Sequence, residues 1–306
     1  MTLKTGKRSI IKILLLGSGG QLGKAICSNF KHLYSIKALD RKKCDITNIN
    51  DVRVCIKEFS PDVVINTAAF TKVDSAEKEM SDAMKVNCSG VNNICTVLKD
   101  TRVLFIHYST DYVFDRKNSG FYNESSQENP INNYGKSKYM GEQEIKDIYD
   151  RHYILRVSWV YDNDSDNFPN KILKRYKDGL ESKIVSDQTG SPTHVDLISH
   201  LTHHILKKYN KLSEEDRQRS FGLYHLSARG VTSWYDFAKY ITKKYSDFKN
   251  LQFYSSRIKK CSSDELNSIS NRPSNSALDC AKLEKFLSLK ISTWQDYADK
   301  FIENKI

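Results

Sequence analysis

The chain has no apolar segment near the roughly 18 residues that span a bilayer, so the reading is a soluble protein with no membrane partner. Its seven cysteines (Cys27, Cys44, Cys55, Cys88, Cys95, Cys261 and Cys280) are scattered and include no CxxC pair. That argues against a disulfide framework or a zinc site and for a reducing cytoplasm. No internal repeat, no low-complexity tail and no acidic cluster fit to hold a metal is present, so no metal is expected. The net charge is +11, yet the basic residues form no dense tract and no nucleic-acid motif accompanies them. Nucleic acid is set aside. Most of the excess reads as solvated surface, with phosphorylated small molecules as the anionic partner.

What is present suits a globular α/β protein. The 306 residues, 39% hydrophobic and 28% charged, suffice for one large domain or two modest ones. Lys4 to Arg8 followed by Ile10 to Leu16 has the outline of a secretory signal, but the apolar run is short and Lys12 interrupts it. A first strand explains it better. Strand-like stretches then alternate with helix-like ones, which predicts a Rossmann-type, doubly wound parallel sheet. The strands are Ile10–Leu16, Tyr34–Leu39, Asp62–Asn66, Val103–His107 and Tyr153–Val157. The helices are Gln21–Phe30, Asn48–Phe59, one or two within Asp74–Leu98, and Lys136–Ile148. Beyond residue 160 the rhythm loosens, with Ser- and Asn-rich loops around 162–170 and 262–276, helices at Val195–Lys208 and Ser233–Tyr245, and a short strand at Gly222–Leu226. Residues 1–160 are assigned to a cofactor-binding domain, with some later segments returning to it. Residues 161–306 form a smaller α/β substrate-binding lobe.

Directly after the first strand stands Gly17-Ser18-Gly19-Gly20-Gln21-Leu22-Gly23. Glycines there let the backbone approach a pyrophosphate, which then sits on a helix N-terminus. Strand, glycine turn, helix and Asp40 about 20 residues on compose a dinucleotide site. Asp40 favours a free 2′-hydroxyl and hence NADH, while Arg41, Lys42 and Lys43 suit the 2′-phosphate of NADPH. NADPH is taken, with NADH left open.

Tyr134 and Lys138 stand four residues apart, on one face of a helix. A free tyrosine, with pKa near 10, is a poor acid-base group at neutral pH, and a neighbouring ammonium would lower that value. Thr110, just past the fourth strand, would hydrogen-bond a substrate carbonyl that Tyr134 protonates. Such spacing arises by chance in a chain with 17 tyrosines. It gains weight from the Ser109-Thr110 pair after the preceding strand.

Longer strings agree: Gly20-Gln21-Leu22-Gly23, Asp45-Ile46-Thr47, Pro61 to Asn66 with Ala68-Ala69, Thr71-Lys72-Val73-Asp74, Ser109-Thr110-Asp111-Tyr112-Val113-Phe114, Asn133 to Lys138, Leu155 to Tyr161, Asp187-Gln188 with Pro192-Thr193, and Arg272-Pro273 with Asn275-Ser276. On these strings the chain resembles the extended short-chain dehydrogenase/reductases, in the branch of the dTDP-4-dehydrorhamnose reductases. The resemblance implies Thr110, Tyr134 and Lys138 as the catalytic set. It implies a cofactor held by Gly17, Gly20, Gln21, Leu22, Asp40, Arg41, Asp45, Ile46, Ala68, Ala69 and Lys138. Thr71, Val73, Asp111, Tyr112, Trp159, Arg272, Asn275 and Ser276 would face a nucleotide sugar. Trp159 reads equally as core, and Trp234 and Trp294 as packing. The implied reaction is NAD(P)H-dependent reduction of the 4-keto group of dTDP-4-dehydro-L-rhamnose.

Alternatives are a UDP-linked keto sugar, or a non-catalytic NADP-binding subunit like the regulatory subunit of methionine adenosyltransferase. Relatives that epimerise before reducing carry Cys where this chain has Asp111, so no built-in epimerase of that kind is expected. The chain departs from the branch at Asp162 to Asp166, where a glycine is usual after Tyr161, and at Pro169. Some relatives form metal-bridged dimers, so a homodimer stays open.

Overall fold

The computed structural model describes residues 10–115, 120–266 and 269–305; the leader-like Lys4 to Arg8 stretch lies outside them. The chain opens with β1 (Lys12–Leu16), α1 (Gln21–Phe30), β2 (Ser35–Leu39), α2 (Ile49–Phe59) and β3 (Val63–Asn66). Then come α3 (Val73–Lys78), α4 (Met80–Met84), a π-helical turn at Lys85–Ser89, α5 (Gly90–Leu98), β4 (Leu104–Thr110), α6 (Asn133–Ile148) and β5 (His152–Val157). The remainder holds β6 (Val160–Tyr161), α7 (Phe168–Lys177), β7 (Ser182–Val185), β8 (Thr189–Gly190), β9 (Thr193–His194), α8 (Val195–Tyr209), α9 (Glu214–Ser220) and β10 (Gly222–Leu226). It closes with β11 (Thr232–Ser233), α10 (Trp234–Phe248), β12 (Ile258–Cys261), α11 (Ala281–Leu287) and α12 (Trp294–Glu303).

Successive strand residues point to opposite faces, and here both faces are apolar. Ile13, Leu15, Ile65, Ile106 and Leu155 join the core shared with α1 and α8. Leu14, Leu16, Val64, Phe105 and Ile154 pack on the other side against Val52, Ile94 and Ile145 of α2, α5 and α6. The result is one six-stranded sheet in the order β10-β5-β4-β3-β1-β2, parallel throughout. Truncating one such leucine or isoleucine to alanine costs about 2–5 kcal/mol. The chain leaves β1 for β2 on one side and resumes with β3 on the other. That reversal opens a crevice at the carboxyl ends of the strands, where ligands of such sheets bind. The late strand β10 pairs with β5 along the edge.

Several elements differ from the sequence expectation: β4 runs on to include Thr110, expected just past the strand, and α6 starts at Asn133 rather than Lys136. The helical stretch within Asp74–Leu98 breaks at Glu79 into α3 and α4, and passes into α5 through the π turn, where Asn87 is held elsewhere. Its side chain bonds Phe70 N, Phe70 O and Ser137 Oγ at 2.8, 3.0 and 2.9 Å. Its carbonyl approaches α6 so closely that a Cβ on Gly141 would lie 2.0 Å from it. The loop expected around 162–170 ends early, since α7 starts at Phe168. Asn167 caps it by accepting from Asn170 N, and Pro169 sits in the first turn, where its missing N–H costs nothing.

Arg156 of β5 anchors α6. Its guanidinium is fully buried and bonds both oxygens of Glu142, at 2.8 and 2.6 Å, with Glu128 at 2.6 Å. The orientation of α6 decides where Tyr134 and Lys138 point.

Candidate active site

The glycine turn lies tight against a neighbouring loop. Gly17 has φ +81°, and a Cβ there would lie 2.3 Å from Ala68 N, so only glycine lets the turn lie against the loop after β3. Gly20 caps α1 without a side chain, and its first turn carries no acidic residue, leaving the helix N-terminus suited to an anion. The adjoining groove, of about 500 Å³, is lined by Gly17, Gly20, Asp40, Arg41, Asp45, Ile46, Ala68 and Ala69 among the expected cofactor residues. Gln21 and Leu22 lie outside its lining, in the first turn of α1. Phe70 and Val86 line it as well, and the sequence reading assigns a role to neither. Asp40 Oδ1 accepts from Lys43 N at 3.1 Å, and Arg41 Nε reaches Asp45 Oδ2 at 3.4 Å.

At the end of β4, Thr110 Oγ1 accepts from Tyr112 N at 3.2 Å and donates to Asp111 Oδ1 at 3.1 Å. Asn132 caps α6 by accepting from Gly135 N at 2.7 Å, which places Tyr134 in the first turn. The Thr110 hydroxyl is placed beside the Tyr134 phenol. The rings of Tyr112 and Tyr134 meet edge to face, 5.5 Å apart. Thr110, Tyr134 and Lys138 thus share one buried corner.

The electrostatics differ from the expectation. Burial pushes the Tyr134 phenol above its ordinary value, with the Thr110 hydrogen bond opposing that shift. Lys138 Nζ donates to the Tyr108 carbonyl at 2.7 Å and lies 3.2 Å from His107 Nε2, so its amine is engaged beneath the tyrosine. Burial lowers Lys138 to about 8, against the pull of Glu142. Tyr134 is therefore a neutral phenol with its proton in place.

The expected substrate residues separate into groups. Asp111 is buried and accepts from Ser158 Oγ at 2.8 Å and from Thr110 Oγ1 at 3.1 Å. Burial raises its carboxyl to about 6, and the Ser276, Ser158 and Thr110 hydroxyls hold it back. Trp159 lies over Gly190, where a Cβ would come within 2.5 Å of its ring, and beside Ser276. Asn275 Nδ2 donates to the Gly120 carbonyl at 2.7 Å. Arg272 ties Asp74 at 2.9 Å. Burial disfavours the Asp74 carboxylate, but Ser270 and Arg272 outweigh it and hold the group below its usual range. Thr71 is exposed on the loop before α3 and Val73 opens that helix, and neither lines either groove described here.

A second groove of about 540 Å³ is bounded by Asp74, Arg272, Phe168, Gln188 and Trp234. Trp234, expected as packing, is part of this wall and stacks on Trp159. No sequence signal joins two tryptophans 75 positions apart (234 − 159). A larger cavity, about 700 Å³, opens among Ile10, Pro61, Arg102 and Arg151 at the amino ends of the strands, away from these residues. Parallel α/β sheets bind ligands at the carboxyl ends, the end where the first groove opens; Thr110, Tyr134 and Lys138 line neither groove. Among the described residues, no helix is long and apolar enough to cross a membrane.

Known proteins share this fold. The chain is 32% identical to a dTDP-4-dehydrorhamnose reductase of Sinorhizobium fredii, over 95% of this chain and 97% of the relative. It is also 32% identical to the spore coat polysaccharide biosynthesis protein SpsK of Bacillus subtilis, over 96% and 98%. A crystal structure of dTDP-4-dehydrorhamnose reductase from Bacillus anthracis in complex with NADP superposes with TM-score 0.87 at 31% identity, covering 96% of this chain and 99% of that one. Residues 11–306 match the model of the RmlD substrate binding domain, and the chain belongs to that family.

Proposed function

We propose that the protein is an NAD(P)H-dependent oxidoreductase that reduces the 4-keto group of dTDP-4-dehydro-L-rhamnose to dTDP-L-rhamnose, a nucleotide sugar for cell-surface polysaccharide. The observation that carries this reading is the buried pairing of Tyr134 with Thr110 at the carboxyl end of β4, on a chain whose relatives bear that activity. Residues 1–160 with β10 form the cofactor domain, and the rest of 161–306 the substrate lobe. A cytoplasmic location is supported by seven free cysteines, six of them buried. A homodimer completes the reading, to be tested by sedimentation.

The groove fits a dinucleotide: the Gly17 cradle and the uncapped start of α1 receive the pyrophosphate, and Asp40 and Arg41 the adenosine ribose. The exposed Arg41 and neighbouring Lys42 favour a 2′-phosphate, hence NADPH, with NADH as the alternative donor. The bound nicotinamide supplies a hydride. The chain's own residues do the rest. Thr110 and Tyr134 hydrogen-bond the keto oxygen. Tyr134 releases its phenolic proton to that oxygen as negative charge develops there, its burial holding the proton in place until then. Lys138 orients the nicotinamide ribose. Asp111, Tyr112, Trp159, Arg272, Asn275 and Ser276 form the sugar-nucleotide side, with Thr71 and Val73 at its rim.

The test is loss of NADPH absorbance with dTDP-4-dehydro-L-rhamnose, made in place by an epimerase. Turnover is expected only when the epimerase is present. Turnover with the UDP-linked sugar alone would reassign the base. Cofactor binding without any turnover would overturn the reductase reading.

A further inference from the structure

Most of the chain's excess charge lies on one part of the second lobe. Residues 168–185 and 234–262, which carry α7, β7, α10 and β12, hold twelve Lys and Arg against four Asp and Glu, a balance of +8 out of the chain's +11. In the sequence these two segments stand 49 positions apart (234 − 185), so no basic tract shows. The fold joins them. β7 pairs with β12 in a register that sets Lys183 beside Lys259. α7 and α10 run side by side in one direction. Phe168 meets Trp234 at their starts, ring centroids 4.5 Å apart, and Tyr176 Oη meets Ser246 Oγ at 2.9 Å near their ends. Nine of the twelve cations are exposed, and Lys244, Lys249 and Arg257 are half-buried.

The same unit ends in an exposed apolar tip. Leu180 follows α7, while Phe248, Leu251 and Tyr254 occupy the end of α10 and the turns beyond it. They are 48%, 47%, 57% and 42% exposed. These turns are ordered: Leu180 N donates to the Arg175 carbonyl at 2.9 Å, and Leu251 N to the Ser246 carbonyl at 2.8 Å. Arg257 ties them together. Its Nη1 donates to the Tyr176 carbonyl at 3.2 Å, and its guanidinium lies 4.3 Å from the Tyr254 ring centroid. Lys177 Nζ lies 4.5 Å from the Tyr245 ring centroid, beside the same tip. Apolar side chains left together in water and rimmed by charge mark an interaction surface. We propose that this tip and its basic flanks form a docking surface for an anionic lipid bilayer, on which the protein lies peripherally.

The chemistry favours lipid over other polyanions. Ammonium and guanidinium groups meet lipid phosphates, while Leu180, Phe248 and Leu251 enter the boundary of the acyl chains. Single-stranded nucleic acid is held by aromatic platforms on which bases stack, and the aliphatic Leu180 and Leu251 offer none. Local carboxylates leave the field positive. Asp247 pairs with Lys243 and Glu181 with Lys259 inside the unit, and Asp166 with Lys171 and Asp299 with Lys244 from neighbouring segments. Counting those last two acids, the balance is still +6. Docking leaves the site open. Phe168 and Trp234, at the starts of both helices, line the sugar groove, and the 15 residues of α10 carry the tip roughly 22 Å away. Among the described residues no helix can cross a membrane, which excludes spanning but not binding on the surface.

Co-sedimentation of the full chain with vesicles tests this, two parts phosphatidylcholine to one part phosphatidylglycerol against phosphatidylcholine alone. Binding to the mixed vesicles only, weakening as salt rises, is expected. Lys174→Gln/Lys177→Gln should lower the partition coefficient by about fivefold for each charge removed. Leu180→Ser/Leu251→Ser should lower it by about tenfold or more. All four side chains are exposed and lie outside both grooves, so unchanged NADPH affinity certifies each variant's fold. No binding to the mixed vesicles, or equal binding to phosphatidylcholine alone, overturns the proposal. Wild-type binding by the lysine variant overturns it too, by placing the contact elsewhere. Wild-type binding by the leucine variant would mean that any polyanion, RNA included, satisfies the charge, and overturns the assignment to lipid. Sedimentation needs neither cofactor nor sugar, so its result stands apart from that of the reductase assay.

Discussion

The indole of Trp159 lies flat on that of Trp234, with ring centroids 3.6 Å apart and planes 2° from parallel. Trp159 reaches this position from a left-handed backbone, φ +46°, which a side-chain-bearing residue adopts only when its surroundings hold it there. They do so through Thr193 N, which donates to the Trp159 carbonyl at 3.1 Å, and through the space that Gly190 leaves for the ring. Phe168 braces Trp234 from α7, centroid to centroid at 4.5 Å.

Losing that stack should loosen the sugar wall without touching the cofactor. Aromatic pairs contribute about 0.5–1.5 kcal/mol beyond area burial, or roughly 2- to 13-fold in an equilibrium constant. Trp234→Ala is expected to raise KM for the nucleotide sugar by about that factor and to leave NADPH affinity unchanged. Steady-state kinetics beside a fluorescence titration measures both. An unaltered KM would return Trp234 to plain packing.

Tyr134→Phe keeps the ring and its contact with Tyr112 but removes the transferable proton. Turnover should fall by about 10²–10⁴-fold while the NADPH dissociation constant holds. Full activity would exclude Tyr134 as the acid.

Asp111 makes stability depend on pH in a defined direction. Its folded pKa, about 6, lies above the ordinary 3.8, through burial. The fold therefore favours the protonated carboxyl. Its contribution is fully present below about pH 4, is lost as pH rises through 6, and above that the buried charge costs roughly 3 kcal/mol. Asp111→Asn removes the charge, and the Ser158, Ser276 and Thr110 hydroxyls can turn to meet it. The stability of Asp111→Asn relative to wild type should rise between about pH 4 and 6 and level off above. Urea unfolding of the pair across that window checks it, and a flat difference would contradict the raised pKa.

Gly17→Ala tests the cradle. The new methyl would meet the Ala68 backbone at 2.3 Å with φ at +81°, so the turn must shift. A strained position of this kind costs about 1–3 kcal/mol, or roughly 5- to 150-fold in NADPH affinity. Calorimetric titration gives the value. Wild-type affinity would show that the pyrophosphate does not use this turn.

Glu142→Ala would strand the Arg156 guanidinium beneath α6, with only Glu128 beside it. Such a loss costs about 3–5 kcal/mol, read as a drop in Tm. A drop no larger than that of a surface alanine would remove the ion pair from the account of how α6 is oriented.

The sequence by itself determined the sheet and the cofactor crevice. Apolar strands alternating with amphipathic helices admit a covered parallel sheet, and Gly17 and Gly20 beside Asp40 lie where local chain geometry puts them, within one strand–turn–helix unit. Thr110, Tyr134 and Lys138 were legible too, because a strand end and a helix start fix their directions. Tertiary structure alone decided the rest. The Trp159–Trp234 stack, the breaking of the helix around Asn87 and the helix after Asn167 depend on contacts between segments far apart in the chain or on a cap that composition does not reveal. The charge states of the site were undecidable from spacing. Whether Lys138 serves Tyr134 or is held by Tyr108 and His107 depends on which buried lone pairs surround it, and neighbouring strands supply those.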